Sequence, residues 1–318
     1  MATWIARTAP GALRRPVKRL FRRAGVATSR FRPLPEFLVI GAHRAGTTSL
    51  NAYLQEHPQV ARKFPRVQDI KGVRFFDEHY ALGVDWYRSH FPTTAYRRYL
   101  ERRHGAPVVT GDLSSYYLFH PAAAERASRV VPEAKIIVLL RDPIERAYSH
   151  WKRERRDGNE PLGFEDAIAA EPERLAGEVE RILADDSYSS HAHENFSYLS
   201  QGLYLEPLRR WLDYYPPEQL HVEISERFLQ EPQARYDRVL EFLGLPPHRL
   251  RDASPFNTTS ADQKLDPTTR AALAARVAPH NRALEQLLGF ELEWDKPSAA
   301  APVDAYDERP RSAVGAPR

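Results

Sequence analysis

Apolar residues along the chain fall into short unbroken runs and longer stretches of helical period. Four runs have strand length: FLVI (37–40), PVVTGD (107–112), AKIIVLLRD (134–142) and LHVEISE (220–226). The last alternates more than the others, which places it nearer a sheet edge. Between them lie helical patterns over 46–55, 121–131, 143–156, 203–215, 232–245 and 267–289. Asp142 before Pro143 reads as an N-cap followed by a favoured first helical residue. Pro207 falls in the first turn of its helix. Pro279 lies inside the last one, where it predicts a kink or a break. Strands alternating with helices predict a three-layer α/β fold around a central parallel sheet. Ligands of such sheets bind outside the carboxyl ends of the strands. The segment Gly41 to Thr48, Asp112 and Arg141 all stand at such ends.

Composition adds limits. The 318 residues suit one large domain with appendages, and 42% hydrophobic content is enough for a substantial core. The body is read as 34–296, with a polar helical insertion and mobile connector over 156–200 that suits a lid. The tail 297–318, rich in Ala, Pro and charge, reads as disorder. Residues 1–33 carry nine Arg or Lys and no acid. That arm has two readings, a disordered basic segment or a peripheral contact with an anionic membrane. No apolar run nears the roughly 20 residues that cross a bilayer, and no apolar stretch follows the basic start as in a secretory signal. The chain has no cysteine, which removes disulfides and thiolate metal sites and fits a cytoplasmic location. A formal charge of +4 admits anionic ligands without requiring them. No nucleic-acid partner is expected.

The first run ends in chemistry. FLVIGAHRAGTTSL (37–50) contains Gly41-x-x-x-x-Gly46, the frame of a phosphate-binding loop. A triphosphate loop continues with Lys and then Ser or Thr. Here Thr47 occupies the Lys place, Thr48 follows, and the nearby cation is Arg44, inside the loop. Amides at a helix N-terminus favour an anion, and glycine lets the backbone approach it. Thr47 and Thr48 add hydroxyls, and Arg44 adds a permanent charge with a planar donor fork. A triphosphate also calls for a magnesium carboxylate, which is not in its expected place. A terminal sulfuryl group carries less charge, so the altered loop suits a phosphosulfate better. The bland alternative is a tight strand–helix turn. In LLRDPIERAYSHW (139–151), Ser149 lies about two helical turns beyond Arg141. The pair suits a second phosphate. Its alternative is a salt bridge from Arg141 to Asp142 or Glu145, with Ser149 solvated.

Taken in order, GAHRAGTTSLNAYLQEHPQV, RDPIERAYSHW, QGLYLEPLRRWLDYYPPEQLHVEISERF and FLGLP resemble segments of sulfotransferases that use PAPS (3′-phosphoadenosine 5′-phosphosulfate). The branch they resemble is the bacterial relatives of heparan-sulfate-type carbohydrate sulfotransferases. KGVRFFDEHYALGVDWYRSHFP and APHNRALEQLLGFELEW extend the likeness over nearly all of 36–295. The resemblance implies metal-free transfer of a sulfuryl group to a hydroxyl or amine of a glycan or glycolipid, releasing 3′,5′-phosphoadenosine. It places Arg44, Ala45, Gly46, Thr47, Thr48 and Ser49 on the 5′-phosphosulfate, with Arg44 at the usual lysine that stabilises the bridging oxygen. It places Arg141 and Ser149 on the 3′-phosphate.

Two departures matter. The glutamate that often deprotonates the acceptor is Gly72 in KGVRFF, and a frequent lysine is Leu113 in GDLSSYY. Asp112 is then the first candidate for the base, with a structural acceptor as its alternative; His43, His191 and His193 are weaker candidates. Lys71 is expected to touch donor or acceptor, Lys264 to reach the 3′-phosphate, and Tyr204 to pack near the adenine or in the core. Two other functions stay open: a loop-type nucleotide kinase, and a non-catalytic module binding anionic polymers or membranes.

Overall fold

The computed structural model describes residues 21–64, 72–253 and 265–294. Its elements are β1 Phe37–Gly41, α1 Thr47–Glu56, α2 Gly83–Arg88, α3 Thr94–His104, β2 Gly111–Leu113, α4 Ala123–Val130, β3 Lys135–Leu140 and α5 Pro143–Arg156. There follow α6 Phe164–Leu175, α7 Glu178–Ala184, α8 His191–Asn195, α9 Leu205–Leu212, β4 Leu220–Ile224, α10 Ser225–Gln230, α11 Pro232–Leu243 and α12 Pro267–Leu288. The four strands form one parallel sheet in the order β2-β1-β3-β4, flanked by helices.

Burial follows the hydrophobic pattern. All of β1 is buried, and so is β3 beyond Lys135, as befits central strands covered on both faces. The alternating strand β4 is at an edge. The main core joins β1 and β3 to Leu50 and Tyr53 of α1, Leu208 and Trp211 of α9, and Tyr236 and Leu240 of α11. A second cluster packs Ile144, Ala147 and Tyr148 of α5 against Phe164 and Ile168 of α6 and Leu273 and Val277 of α12. The sheet therefore fixes where α1 and α5 begin, and the second cluster holds α5 from outside.

Local geometry adds detail to these expectations. The second strand is only Gly111–Leu113, with an isolated parallel bridge between Val60 and Val109 before it. Asp112 is thus inside a strand rather than at its end. Pro279 does not break α12, which runs through it to Leu288. Residues 21–33, read as part of a disordered arm, pack on the body. There Arg22 donates to Ser89 Oγ at 2.8 Å, and Arg32 lies 4.2 Å over the Phe64 ring and donates to the Phe91 carbonyl at 2.5 Å. The region 156–200 forms α6 to α8, and its connector is hydrogen-bonded: Asp185 accepts from the Ser187 amide at 2.8 Å, and Tyr188 and Ser190 donate to Glu178. Residues 1–20, the tail and both Lys71 and Lys264 lie outside the described residues.

Candidate active site

The loop after β1 is shaped by backbone conformation. Gly46 has φ 87° and Arg44 φ 70°, both left-handed, so the chain turns tightly before α1 starts. No side chain caps α1. Its first-turn amides therefore face outward from the loop with the positive end of the helix dipole behind them. Ala45, Thr47 and Ser49 are buried beneath this turn, while Thr48 is partly exposed.

The second motif starts where β3 ends, beside β1. Asp142 caps α5: its Oδ1 accepts from the amides of Ile144 at 2.8 Å and Glu145 at 3.3 Å, with Pro143 as first residue. Arg141 Nη1 donates to the Arg44 carbonyl at 3.0 Å, and Arg44 Nε donates to Ser149 Oγ at 3.2 Å. The loop and the 141–149 segment thus meet in one place. Arg146, fully buried, reaches the same loop from α5 and donates to the His43 carbonyl at 3.3 Å, while its Nε has no partner.

Charge decides what this place can hold. Among the described residues no carboxylate pairs with Arg44, Arg141 or Arg146; their hydrogen bonds go to carbonyls, a hydroxyl and the His150 ring. Burial, then the neighbouring guanidinium of Arg141, pushes the Arg44 pKa down to about 10. Three crowded cations beside an uncapped helix start are stabilised by an anion.

Two buried acids lie on the other side of β1, Asp112 in strand β2 and Asp77 in the loop beyond Gly72. Asp112 is 1% exposed. Its carboxylate accepts from Lys63 Nζ at 2.8 Å, the Leu113 amide at 2.8 Å, the Val73 amide at 3.1 Å, Tyr117 OH at 3.0 Å and Tyr87 OH at 3.2 Å. Burial alone would raise its pKa, but Lys63 and these donors hold it below the usual value. A carboxylate whose acceptor positions are filled and whose basicity is lowered has the setting of a structural acceptor, the alternative reading of Asp112. Gly72 has a backbone reason to be glycine, since a Cβ there would stand 2.0 Å from the Leu113 carbonyl oxygen. A glutamate cannot occupy that position with the chain running as it does.

Asp77, 4% exposed, is the second acid. Its Oδ2 accepts from Ser114 Oγ at 2.9 Å and Arg74 Nε at 3.3 Å, while Oδ1 is buried without a partner. Burial raises its pKa to about 7 against the opposing pull of Arg74. Arg74 also bonds Glu194 of α8 at 2.7 Å, and its charge is felt by His43 of the loop. Tyr116 OH, 2.6 Å from His193 Nδ1, is a second tie to α8. The histidines are poor bases: burial and neighbouring arginines push His43 down to about 3, and burial takes His193 to about 4.

The profile of the Sulfotransferase domain matches residues 34–276. This chain belongs to the sulfotransferase family. It is 33% identical over 227 residues to the human bifunctional heparan sulfate N-deacetylase/N-sulfotransferase 3, which covers 68% of this chain but 23% of that protein. It therefore spans about a quarter of the length of these curated relatives. The membrane-associated sulfotransferase kil1 of Dictyostelium discoideum is 25% identical, over 82% of this chain and 66% of that one. The crystal structure of a sulfotransferase from Alicyclobacillus acidocaldarius superposes with a TM-score of 0.60 at 28% identity, covering 83% of this chain and all of that one.

In this sulfotransferase the loop residues 44–49, Arg141 and Ser149 come together, whereas Asp112 belongs to the packing of β2. Tyr204 is a core residue whose hydroxyl donates to the Arg141 carbonyl at 2.8 Å. Sequence reasoning missed Arg146 and Asp77. Arg146 sits one helical turn before Ser149 in a motif already singled out, a spacing that puts both near one face. Asp77 closes KGVRFFD, five residues beyond Gly72. No helix among the described residues is long and apolar enough to cross a membrane.

Proposed function

We propose that the enzyme takes its sulfuryl group from PAPS and delivers it to a hydroxyl or amine of a glycan or glycolipid. The single observation that carries this reading is the hydrogen-bonded chain Arg141–Arg44–Ser149, which joins the loop and the 141–149 segment into one cationic cradle. A donor with phosphate at both the 3′ and 5′ positions of one nucleoside fits two anion-binding groups so close together. The carbohydrate part is supported by the relatives named for heparan sulfate N-sulfation.

Bound there, PAPS supplies an activated sulfuryl group that moves to the acceptor as the bond to the bridging oxygen breaks. The first-turn amides of α1, with Thr47 and Thr48, hold the 5′ end. Arg44 lies against Ser149 and turns its guanidinium to the bridging oxygen to stabilise departing charge. Arg141 and Ser149 hold the 3′-phosphate. Asp77 takes the acceptor's proton through Oδ1, its basicity set near neutral pH by burial. Arg74 covers that carboxylate but also pairs with Glu78 and Glu194, so it can release Asp77 and remain neutralised.

Calorimetry with the intact chain tests the donor. We expect 3′,5′-phosphoadenosine to bind at least about tenfold more tightly than 5′-AMP, the value of one charge-assisted phosphate contact. R141M should abolish that preference. Equal affinity of the wild type for the two nucleotides would overturn the assignment of Arg141 and Ser149.

A further inference from the structure

Arg141 sits in acidic company. Asp142 follows it in the chain, Glu145 comes one turn later on α5, and Glu226 opens α10 close enough to feel the charge of Arg141. Any of these could satisfy Arg141 and close the cradle to an anion. None does, because each is engaged elsewhere. Arg270, in the first turn of α12, donates Nη2 to Asp142 Oδ2 at 2.8 Å and Nη1 to Glu145 Oε1. Glu226 accepts from the Asp142 amide at 3.0 Å and from Trp294 Nε1 at 3.3 Å. Burial raises the pKa of Glu226, which favours its neutral form. Two of the three acids are thus held by one residue lying more than a hundred positions away in sequence.

We propose that Arg270 is a positioning residue of the donor site, which holds Asp142 and Glu145 off Arg141 and so leaves that guanidinium for the 3′-phosphate. The inference rests on the donor reading above. The placement is specific. Asp266 caps α12, accepting from the amides of Thr268 at 2.9 Å and Thr269 at 3.0 Å, and this fixes the turn that carries Arg270. Leu273 and Val277, one and two turns on, lock the same helix into the cluster with Ile144 and Tyr148 of α5. Asp142 keeps Oδ1 on its own helix start, so only Oδ2 and the Glu145 carboxylate are free to turn on Arg141 if Arg270 is lost. Those charges compete with a phosphate for one guanidinium.

A helix-to-helix tie without this role would lower stability and leave ligand discrimination alone, so the readout is the ratio of affinities for 3′,5′-phosphoadenosine and 5′-AMP. In R270A we expect 3′,5′-phosphoadenosine to weaken about tenfold, the scale of one partly screened charge contact, with 5′-AMP changed less than about twofold. Adding E145Q to R270A should recover most of the loss. R270K, which keeps a cation between the two acids, should stay within about twofold of wild type and serves if R270A does not fold. A wild-type ratio in R270A, failure of E145Q to rescue it, or an R270K as defective as R270A would each overturn the proposal. If the wild type itself does not separate the two nucleotides, the donor reading has failed, and this role of Arg270 falls with it.

Discussion

Asp112 and Asp77 are both buried acids on the β2 side of the sheet, bound to neighbouring stretches of one loop, yet their chemistry differs in sign. Asp112 has five donors within 3.2 Å, one of them the Lys63 cation, and its pKa is lowered. Asp77 has two donors on one oxygen, none on the other, and its pKa is raised to about 7. Burial is common to both. What separates them is how many lone pairs are already occupied, because each donor to a carboxylate stabilises its charged form. A carboxylate at a sheet's ligand edge is therefore a base only where the surrounding chain leaves it incomplete. Under the proposed mechanism that place is Asp77.

The largest expected effect follows from this contrast. D77N should lower kcat by about 10²–10⁴, the usual contribution of a general base, with affinity for 3′,5′-phosphoadenosine unchanged. A single-turnover assay at saturating donor reads the chemical step. A kcat within about threefold of wild type would remove Asp77 from the mechanism and leave the two acids functionally alike.

Much of this was legible in the sequence, for reasons that show where legibility stops. The runs 37–40 and 134–142 are continuous and apolar, so central strands and the loops behind them follow from pattern alone. Asp142-Pro143 marks the start of α5 through local hydrogen bonding. Strand β2 was misplaced because PVVTGD is apolar at its front, while pairing with β1 begins only at Gly111. Its role as strand or loop is settled by a partner that composition does not name. The setting of Asp112 is hidden for the same reason: its five donors come from residues 63, 73, 87, 113 and 117, and only one is adjacent. Arg270 was invisible because its acids are 125 and 128 residues away. Local signals reveal where a functional group leaves the backbone. They do not reveal which distant side chains satisfy it.

D112N sharpens the contrast from the other side. It leaves the largely buried Lys63 without its anionic partner and turns an NH2 donor toward amides and hydroxyls that were arranged to donate to a carboxylate. Breaking a buried, hydrogen-bonded pair costs about 3–5 kcal/mol, so D112N should lower the unfolding free energy by that order in urea titrations. Activity per folded molecule should fall far less than in D77N. A D112N protein of wild-type stability but lost turnover would return the catalytic role to Asp112.

The smallest effect is a difference in the sign of pH dependence. Asp77 has a folded pKa of about 7 against an ordinary value of 3.8, so between those limits the folded state binds more protons than the unfolded one. Its contribution to stability is fully present below the unfolded pKa and is lost as pH rises through about 7, at no more than about 1.4 kcal/mol per pH unit. Asp112, with its folded pKa lowered, works the other way: its contribution is present above 3.8 and is lost as pH falls through the folded value. Unfolding free energies of wild type and D77N, measured from pH 4.5 to 8, should therefore diverge, with D77N gaining on wild type as the pH rises. Wild type and D112N compared over the same range should differ by a constant amount, because Asp112 is already ionised throughout it. A parallel pair of curves for D77N would mean that Oδ1 is not held short of a partner in solution, and the distinction between the two acids would disappear.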